Sequence, residues 1–351
     1  MVRQTAISVS RACAVAAVVV GGGSALIGGA AGSVVAVVLV VGGLAAGLPH
    51  GAIDHQMAAH LFGLRPSVAA LAYGCCAGVA WAVMTLIGWP AVVAALVLSL
   101  LHFAAGEAQM ARAAFGPGVT RWETALVGVA GCGALLLPMA RYPSSFAEVA
   151  HAISPGLDTF LSQPWVRWAC ALLWAAAALA TVVIAARRHH RGLIVDVALI
   201  AALGALAPPL VAFAVWFGGW HSVRHLSRLL LEHPSLRTRV QAGDTRSALR
   251  ALLRWAAAPT AAAVVFMLIV AVLIDRAADP TAALGTALVV LLALTVPHMG
   301  VVAALDHQAR RGQGGSSATL SSRQLVRVTR ARDRAPSARF GGIAKSKRTV
   351  A

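Results

Sequence analysis

His221 and His225 stand four residues apart in the segment Phe217-Gly218-Gly219-Trp220-His221-Ser222-Val223-Arg224-His225-Leu226. On a helix that spacing puts both imidazoles on one face, about 6 Å apart along the axis. Neutral imidazole suits Fe, Cu, Zn or Ni, so the pair reads as half of a metal site. The other half must come from elsewhere in the chain. Three more histidines lie in or at the ends of apolar segments: His50, His102 and His298. Cysteine is not expected to help. Cys13, Cys75, Cys76, Cys132 and Cys170 all fall in apolar windows without CxxC spacing, as packed thiols do.

The elements that must carry these histidines are membrane helices. Of 351 residues, 59% are hydrophobic and only 12% charged, about half the charged share of a soluble domain. Ala12–Ile53 contains no charged residue in 42 positions. As one helix it would run about 63 Å, twice the hydrocarbon core, so it folds back as two spans. The expected fold class is all-α: a polytopic integral membrane helical bundle. About ten transmembrane helices are predicted, at 12–29, 31–48, 68–88, 91–110, 124–140, 166–186, 193–207, 209–231, 256–274 and 281–303. Pro208-Pro209 separates the seventh from the eighth. The basic, apolar N-terminus resembles a signal peptide without a convincing cleavage site and is read as a retained first helix.

Charge sets the orientation. With both N- and C-termini cytoplasmic, 26 of the 29 basic residues fall on the cytoplasmic side, and only Arg141, Arg167 and Arg276 lie outside. That count includes Arg187–Arg191 and the seven arginines from Arg224 to Arg254. Trp89, Trp122, Trp165, Trp168 and Trp255 sit at predicted span ends, where interfacial tryptophans belong. Arg246, Arg250 and Arg254 recur every four residues, as in a basic surface helix leading into the ninth span. Residues 1–309 are expected to form one transmembrane helical domain. Residues 310–351 form a basic cytoplasmic tail expected to be disordered, with eleven basic residues against Asp333. The net charge of +17 is therefore assigned to cytoplasmic retention and attraction to anionic membrane lipids. No nucleic-acid partner is expected.

On this topology His50, His102, His221, His225 and His298 come to similar depth in the cytoplasmic halves of four even-numbered spans. Ionisable groups inside a bilayer are costly and generally functional, so five at one depth point to one shared metal site. Pro49-His50-Gly51 loosens the helix where His50 must turn inward. Asp54, four residues on, can orient an imidazole N–H, and Glu107, five after His102, can either do the same or be a solvated interfacial acid. Trp216, Phe217 and Trp220 either line a ligand path or pack the core.

Gly47-Leu48-Pro49-His50-Gly51-Ala52-Ile53-Asp54-His55, Leu101-His102-Phe103, Trp220-His221-Ser222-Val223-Arg224-His225-Leu226 and Val296-Pro297-His298-Met299 together resemble the Brp/Blh family of membrane β-carotene cleavage enzymes. The resemblance covers about residues 40–303, in order. It implies a multi-pass protein of the cell inner (plasma) membrane that cleaves the central double bond of β-carotene with O2 to retinal, for delivery to a rhodopsin. It also implies the cofactor Fe(II), ligated by His50, His102, His221 and His225. Asp54, Glu107, Trp220 and His298 are expected around those ligands or facing the substrate. Read without the resemblance, the same histidines would also suit a membrane metal transporter or a haem-binding membrane protein.

Overall fold

A computed structural model describes residues 2–27, 29–116, 118–274 and 280–332, and for 24–27, 270–274, 280–281 and 310–332 it describes the backbone alone. Every regular element among the described residues is helical. Prolines and glycines set many of the breaks. α1 (Val2–Ile27) and α2 (Gly29–Gly47) form the uncharged N-terminal hairpin. Pro49 opens the single turn α3 (Pro49–Ala52), and α4 (Asp54–Phe62) ends on Gly63 in the left-handed region at φ 65°. α5 (Pro66–Ile87) and α6 (Trp89–Phe115) each begin with proline in the first turn, where its missing N–H costs nothing.

A Thr120/Glu123 capping box starts α7 (Arg121–Gly131), and α8 (Gly133–Arg141) follows at a bend of 49°. Two short helices, α9 (Pro143–Ile153) and α10 (Leu157–Leu161), precede α11 (Pro164–Arg187) and α12 (Arg191–Leu206). Pro208-Pro209 breaks the chain as expected, and α13 (Pro209–Val215) runs directly into a π-helical segment, Trp216–Ser222, and then α14 (Val223–Glu232). α15 (Pro234–Gln241), α16 (Thr245–Ile274) and α17 (Pro280–Arg332) complete the order. The basic surface helix expected at 246–254 is the first part of α16, with no break before its apolar part.

Among the described residues, seven helical stretches are long and apolar enough to cross a membrane, Gly29–Phe62 (α2 to α4) being one, or eight if the bent pair α7–α8 is one span. Large apolar side chains on them face outward, among them Leu71, Leu86, Val19 and Leu179. In water that exposure would be prohibitive over so many residues; in lipid it is the solvated state. Trp89, Trp122, Trp165 and Trp168 are exposed at helix starts, as interfacial anchors are. Cys75 and Cys76 are exposed on α5 rather than packed inside, and all five cysteines are free.

The chain divides into two compact units, Met1–Val301 and Val302–Ala351. The division falls inside α17, ahead of the 309/310 boundary that the change of composition suggested. The backbone of α17 continues through Arg332, and the rest of the expected disordered tail, 333–351, lies outside the described residues.

Within the first unit, α2 lies against α13 and the π segment, while α1 packs on α2, α12, α14 and the π segment. Small residues allow this closeness. A Cβ at Gly218 would collide with the Gly43 carbonyl, and one at Gly219 would stand 2.8 Å from Cys13 Cβ. A Cβ on Gly128 of α7 would come within 2.6 Å of the Ala104 carbonyl of α6. Lipid tails are as apolar as leucine, so van der Waals fit of this kind holds such helices together. Trp216 and Trp220 are fully buried at the centre of that packing.

Candidate metal centre

Five short stretches deliver the five histidines to one place. α2 stops at Gly47, Leu48 turns, and Pro49 restarts the helix. The interruption leaves the Gly47 carbonyl beside His50 Nδ1. A carbonyl can only accept, so Nδ1 carries the proton and Nε2 is left as a free donor of electrons. His102 projects from the middle of α6 and His298 from α17, one residue after Pro297.

The π winding of Trp216–Ser222 sets the position of His221. A π-helix brings residues five apart over one another, which an α-helix does not. Trp216 and His221 accordingly stack, with centroids 5.7 Å apart and planes at 20°. Normal α winding resumes at Val223, and His221 and His225 stack at 5.8 Å and 16°. The expected shared face therefore exists, although the helix that carries His221 is not an α-helix.

None of the five rings is more than 8% exposed. Ring centroids lie 4.9 Å apart for His50 and His298, 5.3 Å for His50 and His221, 4.7 Å for His102 and His298, 5.2 Å for His102 and His221, and 5.3 Å for His225 and His298. Ligand atoms of His50, His221 and His298 all lie within 4.8 Å of one another. His298 Nε2 approaches His102 Nε2 at 3.2 Å. Two ring nitrogens that share an ion at about 2.1 Å each stand about 3.0–3.4 Å apart. The Nε2 atoms of His221 and His225 are buried without a hydrogen-bond partner. Leaving such atoms unsatisfied costs about 1–3 kcal/mol each, and a bound cation removes that cost. The donor set thus fits a transition-metal ion.

Residues expected around the ligands divide into two groups. Asp54 Oδ2 accepts from His298 Nδ1 at 2.6 Å, so it orients an imidazole, but one 244 residues away rather than its neighbour His50. With Nδ1 held by the carboxylate, His298 turns Nε2 to the centre, and it belongs to the histidine cluster itself rather than to its surroundings. Glu107 orients no histidine and is no solvated acid. It is buried, accepts from Trp220 Nε1 at 3.0 Å and pairs with Arg224 at 2.9 Å. Trp220 faces Arg224, whose guanidinium carbon is 3.7 Å from its ring centroid, so that face is closed to a substrate.

Arg224 and Asp196 were not recognised as parts of this region from the sequence. The positive-inside count takes Arg224 as one of the cytoplasmic-side arginines, yet it is 4% exposed. Two opposite charges inside predicted spans were the available signal, because such groups persist in membranes chiefly as pairs.

Two cavities lie near the histidines, and only the larger has histidines in its wall. The larger, about 660 Å³, is lined by His50, His55 and His298 together with Tyr73 and many apolar side chains. The Tyr73 hydroxyl donates to the Leu294 carbonyl at 2.9 Å on its wall. The smaller, about 380 Å³, is almost wholly apolar. Phe217, Leu291 and Thr295 line both. Phe217 packs edge-on to His50 with ring centroids 5.2 Å apart.

The family model described as beta-carotene 15,15'-dioxygenase matches residues 41–306, which include all five clustered histidines. The chain belongs to the beta-carotene 15,15'-dioxygenase family. Among curated relatives, the probable beta-carotene 15,15'-dioxygenase Blh of Halobacterium salinarum is 30% identical over 198 residues. That alignment spans 52% of this chain and 56% of the relative, so the chain matches little more than half of that protein's length. No solved structure matches this member of the beta-carotene 15,15'-dioxygenase family. Residues 1–40, which include α1, lie ahead of the family match.

Proposed function

We propose that this protein cleaves the central double bond of β-carotene with O2 to give retinal, at a non-haem Fe(II) held by His50, His102, His221 and His225. His298 is a fifth donor at the same centre. The observation that carries the reading is the convergence of five buried imidazoles beside an apolar cavity. When bound, iron supplies the activation of O2, which no side chain here can perform. The chain's own residues do the rest. The Gly47 carbonyl and the Asp54 carboxylate fix the tautomers of His50 and His298, so that Nε2 of each is available as a ligand. The donor set is all imidazole and would leave a bound Fe(II) with its full double positive charge.

Substrate fit follows from the cavity walls. Apart from His50, His55, His298, Tyr73, Thr260 and Thr295, the larger cavity is lined by apolar and aromatic residues. Such a wall dissolves a polyene that arrives through the bilayer and offers no path to a hydrated ion, which disfavours a metal transporter. Phe217 lines both cavities and packs against His50, a position from which an aromatic ring can support positive charge developing on the polyene.

The membrane arrangement completes the proposal. α12 and the α13–α14 segment add crossings to the seven or eight long spans, for about ten in all, with both termini cytoplasmic. Seven of the basic residues sought on that side come from Arg224–Arg254, and six of those seven remain after Arg224 is set aside as buried. The protein would sit in the plasma membrane and release retinal for a rhodopsin.

Expression in β-carotene-producing cells tests the substrate: orange colour should fade with appearance of retinal. Persistent colour without retinal would reject it. Purified protein should carry iron, and His221→Ala or His225→Ala should lose both iron and retinal formation.

A further inference from the structure

Behind the stacked pair His221/His225 lies a set of four charges with no part in ligation, Glu107, Asp196 and Arg224 buried and Arg11 half-buried at its edge. Arg224 sits between the two histidines in sequence and points away from the centre. Its Nη1 bonds Glu107 Oε2 at 2.9 Å, its Nη2 bonds Asp196 Oδ2 at 3.0 Å, and its Nε donates to Ser10 Oγ at 3.0 Å. The second oxygen of Asp196 takes Arg11 Nε at 2.7 Å, and Arg11 also donates to the Gly192 carbonyl at 2.6 Å. Glu107 Oε1 receives Trp220 Nε1. Two cations and two anions thus balance, and α1, α6, α12 and α14 each contribute one of the four charges.

Charge balance matters more here than the energy of any one pair. A buried ion pair gains little over apolar packing, but a buried charge whose partner is removed is strongly destabilising. A planar guanidinium with three fixed partners also resists rotation of the helix that bears it. Rotation of that helix would carry His221 and His225 off the centre together. Ser10 and Arg11 belong to α1, ahead of the residues matched to the family.

We infer that Arg224 is a positioning residue for the metal centre, and that α1 completes its setting through Ser10 and Arg11. The inference rests on the reading of His221 and His225 as ligands. α1 is then a working part of the site in this chain rather than an appended span: without Arg11, Asp196 keeps one unpaired oxygen and the buried set carries a net negative charge. Arg224 is then drawn toward Asp196, and the rotation of α14 is no longer defined by two equal pulls.

The test compares full-length wild type, Arg11→Met and the charge-balanced double variant Arg11→Met/Asp196→Asn. Hydrogen exchange of the backbone at 216–225 reports the order of the π segment and α14 directly, whether or not metal is bound. Iron retention against a chelator reports the ligands. Arg11→Met should speed exchange at 216–225 and weaken iron retention about tenfold, the lower end for loss of a group that orients ligands. The double variant should recover most of both, because Arg224 and Glu107 remain a neutral pair. Wild-type exchange in Arg11→Met, or a double variant as disturbed as the single, would overturn the inference. Wild-type protein that retains no iron would instead reject the ligand reading, and the exchange comparison would still decide the role of the network.

Discussion

Asp54 and His298 show how much one hydrogen bond can decide. The carboxylate holds Nδ1 of His298 at 2.6 Å, and that contact alone determines which ring nitrogen faces the other histidines. Asp54→Asn keeps an acceptor but removes the charge that makes the imidazole a stronger donor to metal. Asp54→Ala removes both. Iron affinity, measured by competition with a coloured chelator, should fall about tenfold in Asp54→Asn and toward a hundredfold in Asp54→Ala. Wild-type affinity in Asp54→Ala would show that His298 does not depend on this contact. The residue types of the cluster were legible in the sequence, since histidine inside an apolar span is conspicuous. Its hydrogen-bond partners were not. Asp54 lies four residues from His50 and 244 from His298, and only the folded chain shows that the distant one is its partner.

At the scale of the element, the π-helical segment Trp216–Ser222 has a steric cause and a functional consequence. Gly218 lets it lie on the backbone of α2, and Gly219 lets it lie on α1. The extra residue per turn places Trp216 over His221, where the indole both covers the imidazole and donates to the Gly131 carbonyl at 3.1 Å. A side chain at 218 must push the segment off α2, and overpacking of this kind costs about 1–3 kcal/mol. Gly218→Val should therefore lower the unfolding temperature and reduce bound iron together. An unchanged melting profile would mean that the close approach to Gly43 is not required. Apolar length and Pro208-Pro209 foretold a helix ending near 231, and α14 ends at Glu232. Hydropathy carries no information on α versus π winding, because the difference lies in which neighbours the segment touches.

Over the whole molecule, the centre ties together α3, α6, the π segment, α14 and α17, so ligand binding and stability are linked. A ligand that binds only the folded state adds about 2.7 kcal/mol at a hundredfold excess over its Kd. Iron-loaded protein should melt above the chelated form, and readdition of Fe(II) should restore the higher temperature; identical melts would mean that the histidines hold no ion. Orientation is testable in the same intact chain. Reporters inserted after Arg65 and within 187–191 should both read as cytoplasmic, because α5, α6, the bent pair α7–α8 and α11 make an even number of crossings between them. Opposite readings at the two sites would remove one of those spans.

The class of fold and the candidate histidines were legible in the sequence alone, because both depend on local properties. Long uncharged runs cannot remain in water, prolines and glycines mark many of the helix breaks, and histidine inside an apolar run is conspicuous. What only the tertiary structure decided is which groups touch. It placed His298 in the cluster, gave Asp54 to His298, and turned Glu107 and Trp220 away from the centre toward Arg224. Those choices depend on the rotation of each helix about its axis and on contacts between α1, α6, α12 and α14. Residues more than a hundred positions apart set such contacts, and no window along the chain contains them.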